Sequence, residues 1–215
     1  MKLKSHLLVL IRHGQSVYNL KNQFTGSADC DLSDLGREEA SVVGQELKEY
    51  GFEFDEVYCS ALKRTFETYK IIAQTMQNGF EKLPVHQVAA LNERNYGLLQ
   101  GKNKDEAIEK YGAEKVETWR RGFYALPPDG ESLEQTEKRV VDFYNAVLVP
   151  ALQSGKRLLL IAHGNSLRSL VMHLENISPH NIESLNIVTG EIIVYELDER
   201  LKIIRKEIKN PIAKA

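Results

Sequence analysis

The sequence predicts an α/β fold of three layers, a mostly parallel central sheet with helices on both faces. Three observations carry that expectation. Leu7-Leu8-Val9-Leu10-Ile11 and Leu158-Leu159-Leu160-Ile161-Ala162 are unbroken apolar runs of strand length. A strand with one wet face would alternate apolar and polar residues, so both runs read as strands buried on both faces. Stretches of helical periodicity separate the strand-like runs, the order expected of a parallel sheet. Finally, each of the two runs leads into a His-Gly pair, at His13-Gly14 and at His163-Gly164.

The elements follow in order. After the first strand, Leu32-Ser33-Asp34-Leu35-Gly36 leads into a helix with Ala40, Val43 and Leu47 on one face. Glu56-Val57-Tyr58-Cys59-Ser60 is a short strand ending in a polar loop, and residues 64–76 read as a helix. The segment 83–91 is an extended stretch. Residues 105–121 have helical periodicity and many i,i+4 charge pairs. Pro127-Pro128-Asp129-Gly130 is a turn, and Ser132 then caps a long amphipathic helix reaching Leu152. The strand at 158–162, a helix over 167–174 and a last strand over 192–197 complete the pattern. One core runs through the whole chain, so residues 1–215 read as one domain. Its basic end, 205–215, reads as a mobile tail.

Composition removes several classes of function. The 215 residues carry 28 Lys+Arg against 30 Asp+Glu, a net charge of -2, which excludes a generally basic nucleic-acid binder. Apolar residues at 42% and charged residues at 27% exclude wholesale disorder. Cys30 and Cys59 are the only cysteines, with no CxxC or zinc spacing, so reduced thiols in the cytoplasm are expected. Near the N-terminus only five apolar residues precede Arg12, too few for a signal-peptide core or a membrane span. A cytoplasmic protein with neither membrane nor nucleic-acid partner follows.

The chemistry is carried by two matched segments. Val9-Leu10-Ile11-Arg12-His13-Gly14-Gln15-Ser16 and Leu159-Leu160-Ile161-Ala162-His163-Gly164-Asn165-Ser166 share one form: strand, His, Gly, amide, Ser. In open parallel sheets ligands bind beyond the carboxyl ends of strands. Neighbouring strands lie roughly 4.8 Å apart, so adjacent placement would bring the two imidazoles within a few ångströms. Two unrelated strand-capping histidines are the plainer alternative; the matched form, with Arg12 before the first, argues against it. A neutral imidazole can attack phosphorus and form phosphohistidine. The transferred group carries charge on its equatorial oxygens, and guanidinium forks match them. Arg12 adjoins His13, and Arg64 follows another strand end. Glu93, in a polar loop between Leu91 and Tyr96, is a carboxylate available for proton transfer, although alone it would read as a surface residue.

The Leu10-to-Ser16 segment resembles the signature of the histidine phosphatase superfamily. Five further segments, in order, resemble its cofactor-dependent phosphoglycerate mutases: Asn22-Gln23-Phe24-Thr25-Gly26, Ser60-Ala61-Leu62-Lys63-Arg64-Thr65, Leu91-Asn92-Glu93-Arg94-Asn95-Tyr96-Gly97, Trp119-Arg120-Arg121-Gly122-Phe123 and Ala162-His163-Gly164-Asn165-Ser166. The resemblance runs from about Leu7 to about Leu201 and implies the mutase-like three-layer fold. It implies that His13 is the phosphorylated nucleophile, that Arg12, Arg64 and His163 hold the transferring phosphoryl group, and that Glu93 is the general acid/base. Asn19, Thr25, Gly26, Gly164 and Asn165 would line the pocket. Tyr96, Lys104, Arg120 and Arg121 would grip the substrate's carboxylate and second phosphate, and Ser16 and Arg94 join the substrate-binding set. The implied reaction interconverts 3-phosphoglycerate and 2-phosphoglycerate, with 2,3-bisphosphoglycerate as the cofactor that primes His13. No metal is expected, because the six histidines offer no HxxxH or HExxH spacing.

A phosphatase of the same superfamily, acting on a small phosphorylated metabolite, is the competing reading, and a non-enzymatic binding module a distant third. The sequence also departs from the mutase pattern. Pro127-Pro128-Asp129-Gly130-Glu131-Ser132-Leu133 closes tightly a segment that is longer in many relatives, which leaves a monomer or a small homo-oligomer. Asn95 stands where relatives commonly carry His. The tail's lysines are expected to fold over the site and help retain the bisphosphate.

Overall fold

The computed structural model describes residues 5–77 and 79–214. In chain order its regular elements are β1 (His6–Arg12), α1 (Val17–Leu20), α2 (Asp34–Glu49), β2 (Glu56–Ser60), α3 (Lys63–Met76), β3 (Val85–Val88), α4 (Lys104–Tyr111), α5 (Ala113–Arg121), α6 (Leu133–Phe143), α7 (Val149–Gln153), β4 (Leu158–Ala162), α8 (Gly164–Glu175), β5 (Ile192–Leu197) and β6 (Ile203–Lys209). The sheet order is β3-β2-β4-β1-β5-β6. The first four of these run parallel; β5 is antiparallel to β1, and β6 to β5.

The two apolar runs sit side by side at the centre. Every residue of β4 is fully buried. Alternate residues of β1 face opposite layers: Leu8 and Leu10 pack toward α6 and α8, Val9 and Ile11 toward α2 and α3. Each such side chain contributes roughly 1.5–3 kcal/mol of burial, which makes these strands the rigid floor of the molecule. The parallel register pairs Arg12 with Ala162, so His13 and His163 leave the sheet together.

Several boundaries differ from the sequence reading. The helix expected over 105–121 is two helices, broken at Gly112, whose φ of +85° only glycine adopts freely. The long helix begins as expected at Ser132, whose hydroxyl accepts the Gln135 amide. It widens to a π turn over Tyr144–Leu148 before α7, where Pro150 has no amide to continue the ladder. The helix expected from 167 begins at Gly164. The extended segment is β3 followed by a 3-10 turn, Ala89–Leu91.

The expected mobile tail needs correction. Residues 205–209 belong to β6, held by antiparallel pairing to β5. Pro211–Lys214 then forms a 3-10 turn against α2. Lys209 ion-pairs with Glu207 and lies over the Tyr50 ring, and Lys206 pairs with Glu175 at 2.6 Å. Ala215 lies outside the described residues. Among the described residues no helix is long and apolar enough to cross a membrane.

Candidate active site

The site begins where the chain turns out of β1. Gly14 meets Gly36 backbone to backbone: a Cβ on Gly14 would stand 2.1 Å from the Gly36 carbonyl oxygen, and one on Gly36 would stand 2.0 Å from that of Gln15. Only glycines allow this approach, which fixes the loop after His13 against the start of α2. Glu39 of α2 adds a second tie, since its Oε2 accepts the Gln15 amide at 2.6 Å and its Oε1 accepts the Thr189 hydroxyl at 3.1 Å.

His13 is 3% exposed, and its Nδ1 lies 2.6 Å from the Gly14 carbonyl oxygen. A carbonyl can only accept, so Nδ1 carries the hydrogen and Nε2 keeps its lone pair. Arg64 Nε donates to that Nε2 at 3.3 Å. Burial, then the Arg64 and Arg12 cations, hold the His13 pKa well below the ordinary histidine value. The ring is therefore neutral at neutral pH, the form a nucleophile requires.

The His163 ring lies 4.8 Å from that of His13, edge to face at 65°. Its Nε2 is 2.7 Å from Ser60 Oγ, and its buried Nδ1 has no protein partner. Burial, Arg64, His13 and Arg12 lower its pKa as well. Arg64 is fully buried at the start of α3, donating from its two terminal nitrogens to the carbonyls of Ala28 at 2.8 Å and Gly26 at 2.9 Å. Arg12 donates to the Ile187 carbonyl at 2.6 Å, while its Nε is buried without a partner.

Glu93 is placed by α8. Its Oε1 accepts the Asn165 amide in the first turn at 3.0 Å and the Arg94 amide at 2.8 Å, a favourable seat for a carboxylate at a helix N-terminus. Gly164 lies between this carboxylate and Arg12: a Cβ there would stand 3.6 Å from Glu93 Oε2 and 3.6 Å from the Arg12 guanidinium carbon. On the far wall, Lys104 has its pKa lowered by burial and by the Arg120 and Arg12 cations. Arg120 pairs with Glu117 at 2.9 Å, and Arg121 reaches Asn186 at 3.2 Å.

These groups enclose a cavity of about 130 Å³. Among the described residues six cationic side chains line it (Arg12, Arg64, Lys104, Arg120, Arg121 and Arg168) against the single carboxylate of Glu93. That balance suits a small polyanion. All the predicted site residues line it except His163, Ser16 and Arg94. His163 stands against the His13 ring. The Ser16 hydroxyl caps α1 through Asn19 instead. Arg94 is fully buried behind Tyr96, donating to its hydroxyl at 2.8 Å. Sequence reasoning missed Gln23, Phe24, Arg168, Asn186 and Ile187 in the lining. Gln23 and Phe24 lie within a segment that stood out in the sequence, and Arg168 left a signal as a cation among Leu167, Leu170 and Val171 on a buried helix. No tail residue among those described lines the cavity, contrary to the expectation that tail lysines cover it. Among the described residues no group of three or more His, Cys, Asp or Glu is arranged to hold a metal ion.

Comparison with known proteins adds relatives. The family model described as the histidine phosphatase superfamily (branch 1) matches residues 8–207. A Parvibaculum lavamentivorans protein named 2,3-bisphosphoglycerate-dependent phosphoglycerate mutase is 48% identical over 203 residues, 94% of this chain and 96% of the relative. A Cytophaga hutchinsonii protein of the same name is 47% identical over 197 residues, 92% of this chain and 90% of the relative. Among solved structures, the alpha-ribazole phosphatase from Shigella flexneri superposes with a TM-score of 0.77 at 25% identity, covering 93% of this chain and 94% of that one.

Proposed function

The chain belongs to the histidine phosphatase superfamily, branch 1, and on that footing we propose that it interconverts 3-phosphoglycerate and 2-phosphoglycerate through a phosphorylated His13, primed by 2,3-bisphosphoglycerate. The two relatives named as such mutases, each covering nine-tenths or more of the chain, support the reaction. One observation of geometry carries the mechanism: the His13 Nε2 lone pair faces Arg64, beside the unpartnered Nδ1 of His163.

The donor set fits a bisphosphorylated acid. Arg12 Nε and His163 Nδ1 are buried polar atoms that lack a protein partner beside the nucleophile, so phosphoryl oxygens would satisfy them. Lys104, Arg120 and Arg121 stand further out for a carboxylate and a second phosphate. When bound, the bisphosphate supplies the phosphoryl group that loads His13. The lone pair on Nε2 forms the N–P bond as the ester P–O bond breaks. Arg12, Arg64 and His163 meet the charge on the equatorial oxygens, a kind of stabilisation worth about 10²–10³ in rate per donor. Glu93 gives its proton to the departing alkoxide and takes one back from the hydroxyl that attacks phosphohistidine in the return direction. The clamp holds the substrate while either hydroxyl is presented. The same reading makes the protein a cytoplasmic enzyme of soluble metabolites, folded as one domain and working as a monomer or small homo-oligomer.

The test is conversion of 3-phosphoglycerate to 2-phosphoglycerate with and without added 2,3-bisphosphoglycerate. Stimulation is expected, and His13→Ala should abolish both turnover and acid-labile phosphorylation of the protein. Release of phosphate without isomerisation would replace the mutase by a phosphatase.

A further inference from the structure

Two buried arginines do something the reaction scheme leaves unassigned. Arg168, on α8, is 3% exposed, and Arg94 is fully buried. Both reach the last carbonyls of α5, the helix whose end carries Arg120 and Arg121. Arg94 Nη2 donates to the Arg120 carbonyl at 2.8 Å, and Arg168 Nη2 to that of Arg121 at 3.0 Å. The last four carbonyls of a helix lack partners within it and form its negative end. Two guanidinium groups thus hold α5 by its C-terminus.

The other ends of these arginines lead to the reacting groups. Arg168 Nη1 donates to Asn165 Oδ1 at 2.8 Å, and its Nη2 also reaches the Ile182 carbonyl at 2.7 Å. That fixes the Asn165 amide with its NH₂ toward Tyr96, 3.4 Å from the hydroxyl. The Tyr96 oxygen then accepts from both Asn165 and Arg94, and Arg94 lies 4.7 Å over the ring. With both lone pairs engaged, the Tyr96 hydroxyl hydrogen is left to donate elsewhere, and Tyr96 lines the cavity. Asn165 in turn gives its backbone amide to Glu93. One hydrogen-bonded chain therefore runs from the proton-transfer carboxylate to the backbone that carries the clamp.

We propose that Arg168, supported by Arg94, is a positioning residue that sets the Arg120–Arg121 clamp at its working distance from His13 and so determines preference for a carboxylate-bearing phosphate. The proposal rests on the mutase reading for the role of the clamp. It separates loading of His13, which the strand-end groups perform, from grip on the substrate's far end.

The experiment compares wild type with Arg168→Lys, which keeps the charge but loses the fork, and Arg168→Met, which loses both. KM for 3-phosphoglycerate should rise about tenfold or more in the methionine variant, from the lost charge-assisted hydrogen bonds, and less in the lysine variant. Labelling of His13 by phosphoramidate, which has no carboxylate to clamp, should fall by a smaller factor than mutase turnover does. Bisphosphate hydrolysed per mutase turnover should rise. Guanidinium added to Arg168→Ala should restore part of the KM. Proportionate loss of labelling and mutase turnover would mean that Arg168 only supports the fold, and the proposal would fall. An unchanged KM would also overturn it. Should Arg168→Met not fold, the lysine variant and the guanidinium rescue still decide the matter. If the wild type proved to hydrolyse 3-phosphoglycerate without isomerising it, the mutase reading would fail. The same KM comparison, made on hydrolysis against p-nitrophenyl phosphate, would still test the clamp.

Discussion

Lowering the pH should destabilise the protein in a window set by the two buried histidines at the ends of β1 and β4. His13 and His163 are buried and side by side, and burial together with the Arg64 and Arg12 cations depresses both pKa values well below the ordinary 6.5. The unfolded chain binds protons on both rings as pH drops past about 6.5, while the folded chain does not. Stability is therefore full above that pH and declines until the folded-state values are passed. Each ring removes up to roughly 1.4 kcal/mol per pH unit, so one unit below 6.5 the pair costs at most about 3 kcal/mol of the 5–15 typical of a domain. Asp55, Glu56 and Glu131 have lowered pKa values, so their contribution is lost only in stronger acid, below this window. Glu191, with a raised pKa, acts in the opposite direction but equally in wild type and variant. Urea unfolding of dephosphorylated protein in phosphate-free buffer, followed by Trp119 fluorescence, reads the effect between about pH 8 and pH 5.5. His13→Gln should lose about half as much stability across that range as wild type. Equal losses in the two proteins would refute the claim that His13 is held neutral, and with it the lone pair on Nε2.

Other substitutions test other joints. Arg64→Met removes the donor to His13 and leaves the Gly26 and Ala28 carbonyls unpaired; rapid-quench labelling should slow by about 10²–10³, with its acid limb moved to higher pH because a repelling cation is gone. Glu93→Gln should slow mutase turnover by about 10²–10⁴ with the circular dichroism unchanged, and wild-type turnover would remove Glu93 from the proton transfer. Gly36→Ala drives a methyl to 2.0 Å from the Gln15 carbonyl, so urea unfolding should show a loss of about 1–3 kcal/mol; an unaltered midpoint would mean that the contact yields freely.

What the sequence discloses depends on whether one residue can speak for its surroundings. β1 and β4 are plain because five apolar residues in a row have few uses other than a strand covered on both sides. His13, Arg64 and Glu93 stand out because their motifs are local. β6 hides because Ile203, Arg205, Glu207 and Lys209 alternate with Ile204, Lys206 and Ile208, so neither face is apolar. It is an edge strand dressed in charge, which in sequence resembles a solvated tail. The break at Gly112 hides because charge pairs continue across it, although a glycine inside a helical pattern was the available warning. Asn186 and Ile187 come from the loop before β5, whose path is set by Arg12 and Gly190 contacts distant in sequence. Arg94 misleads in the other direction: a cation in a substrate-binding motif turns away from the cavity to hold a helix end.

The site divides along the same line as the architecture, and that division bears on why one fold serves both mutases and phosphatases. The half that would react is built at the ends of β1, β2 and β4: Arg12, His13, Ser60, Arg64 and His163 are fixed by strand pairing and by backbone carbonyls. Any phosphate ester needs this half, whatever its leaving group. On the proposed reading the half that selects lies outside the sheet, on α4 and α5, where Lys104, Arg120 and Arg121 are half-buried; α5 is tied to the first half through Tyr96, Asn165, Arg94 and Arg168 and through the neighbours Asn186 and Ile187, which Arg121 and Arg12 reach. If so, changing the second half should alter what is held beside phosphohistidine without disturbing its formation. Water then competes with a retained substrate hydroxyl for the same phosphorus. On the proposed reading the balance between transfer and hydrolysis is set by α5 and by Arg94 and Arg168, the two buried arginines that hold its end, rather than by the histidines.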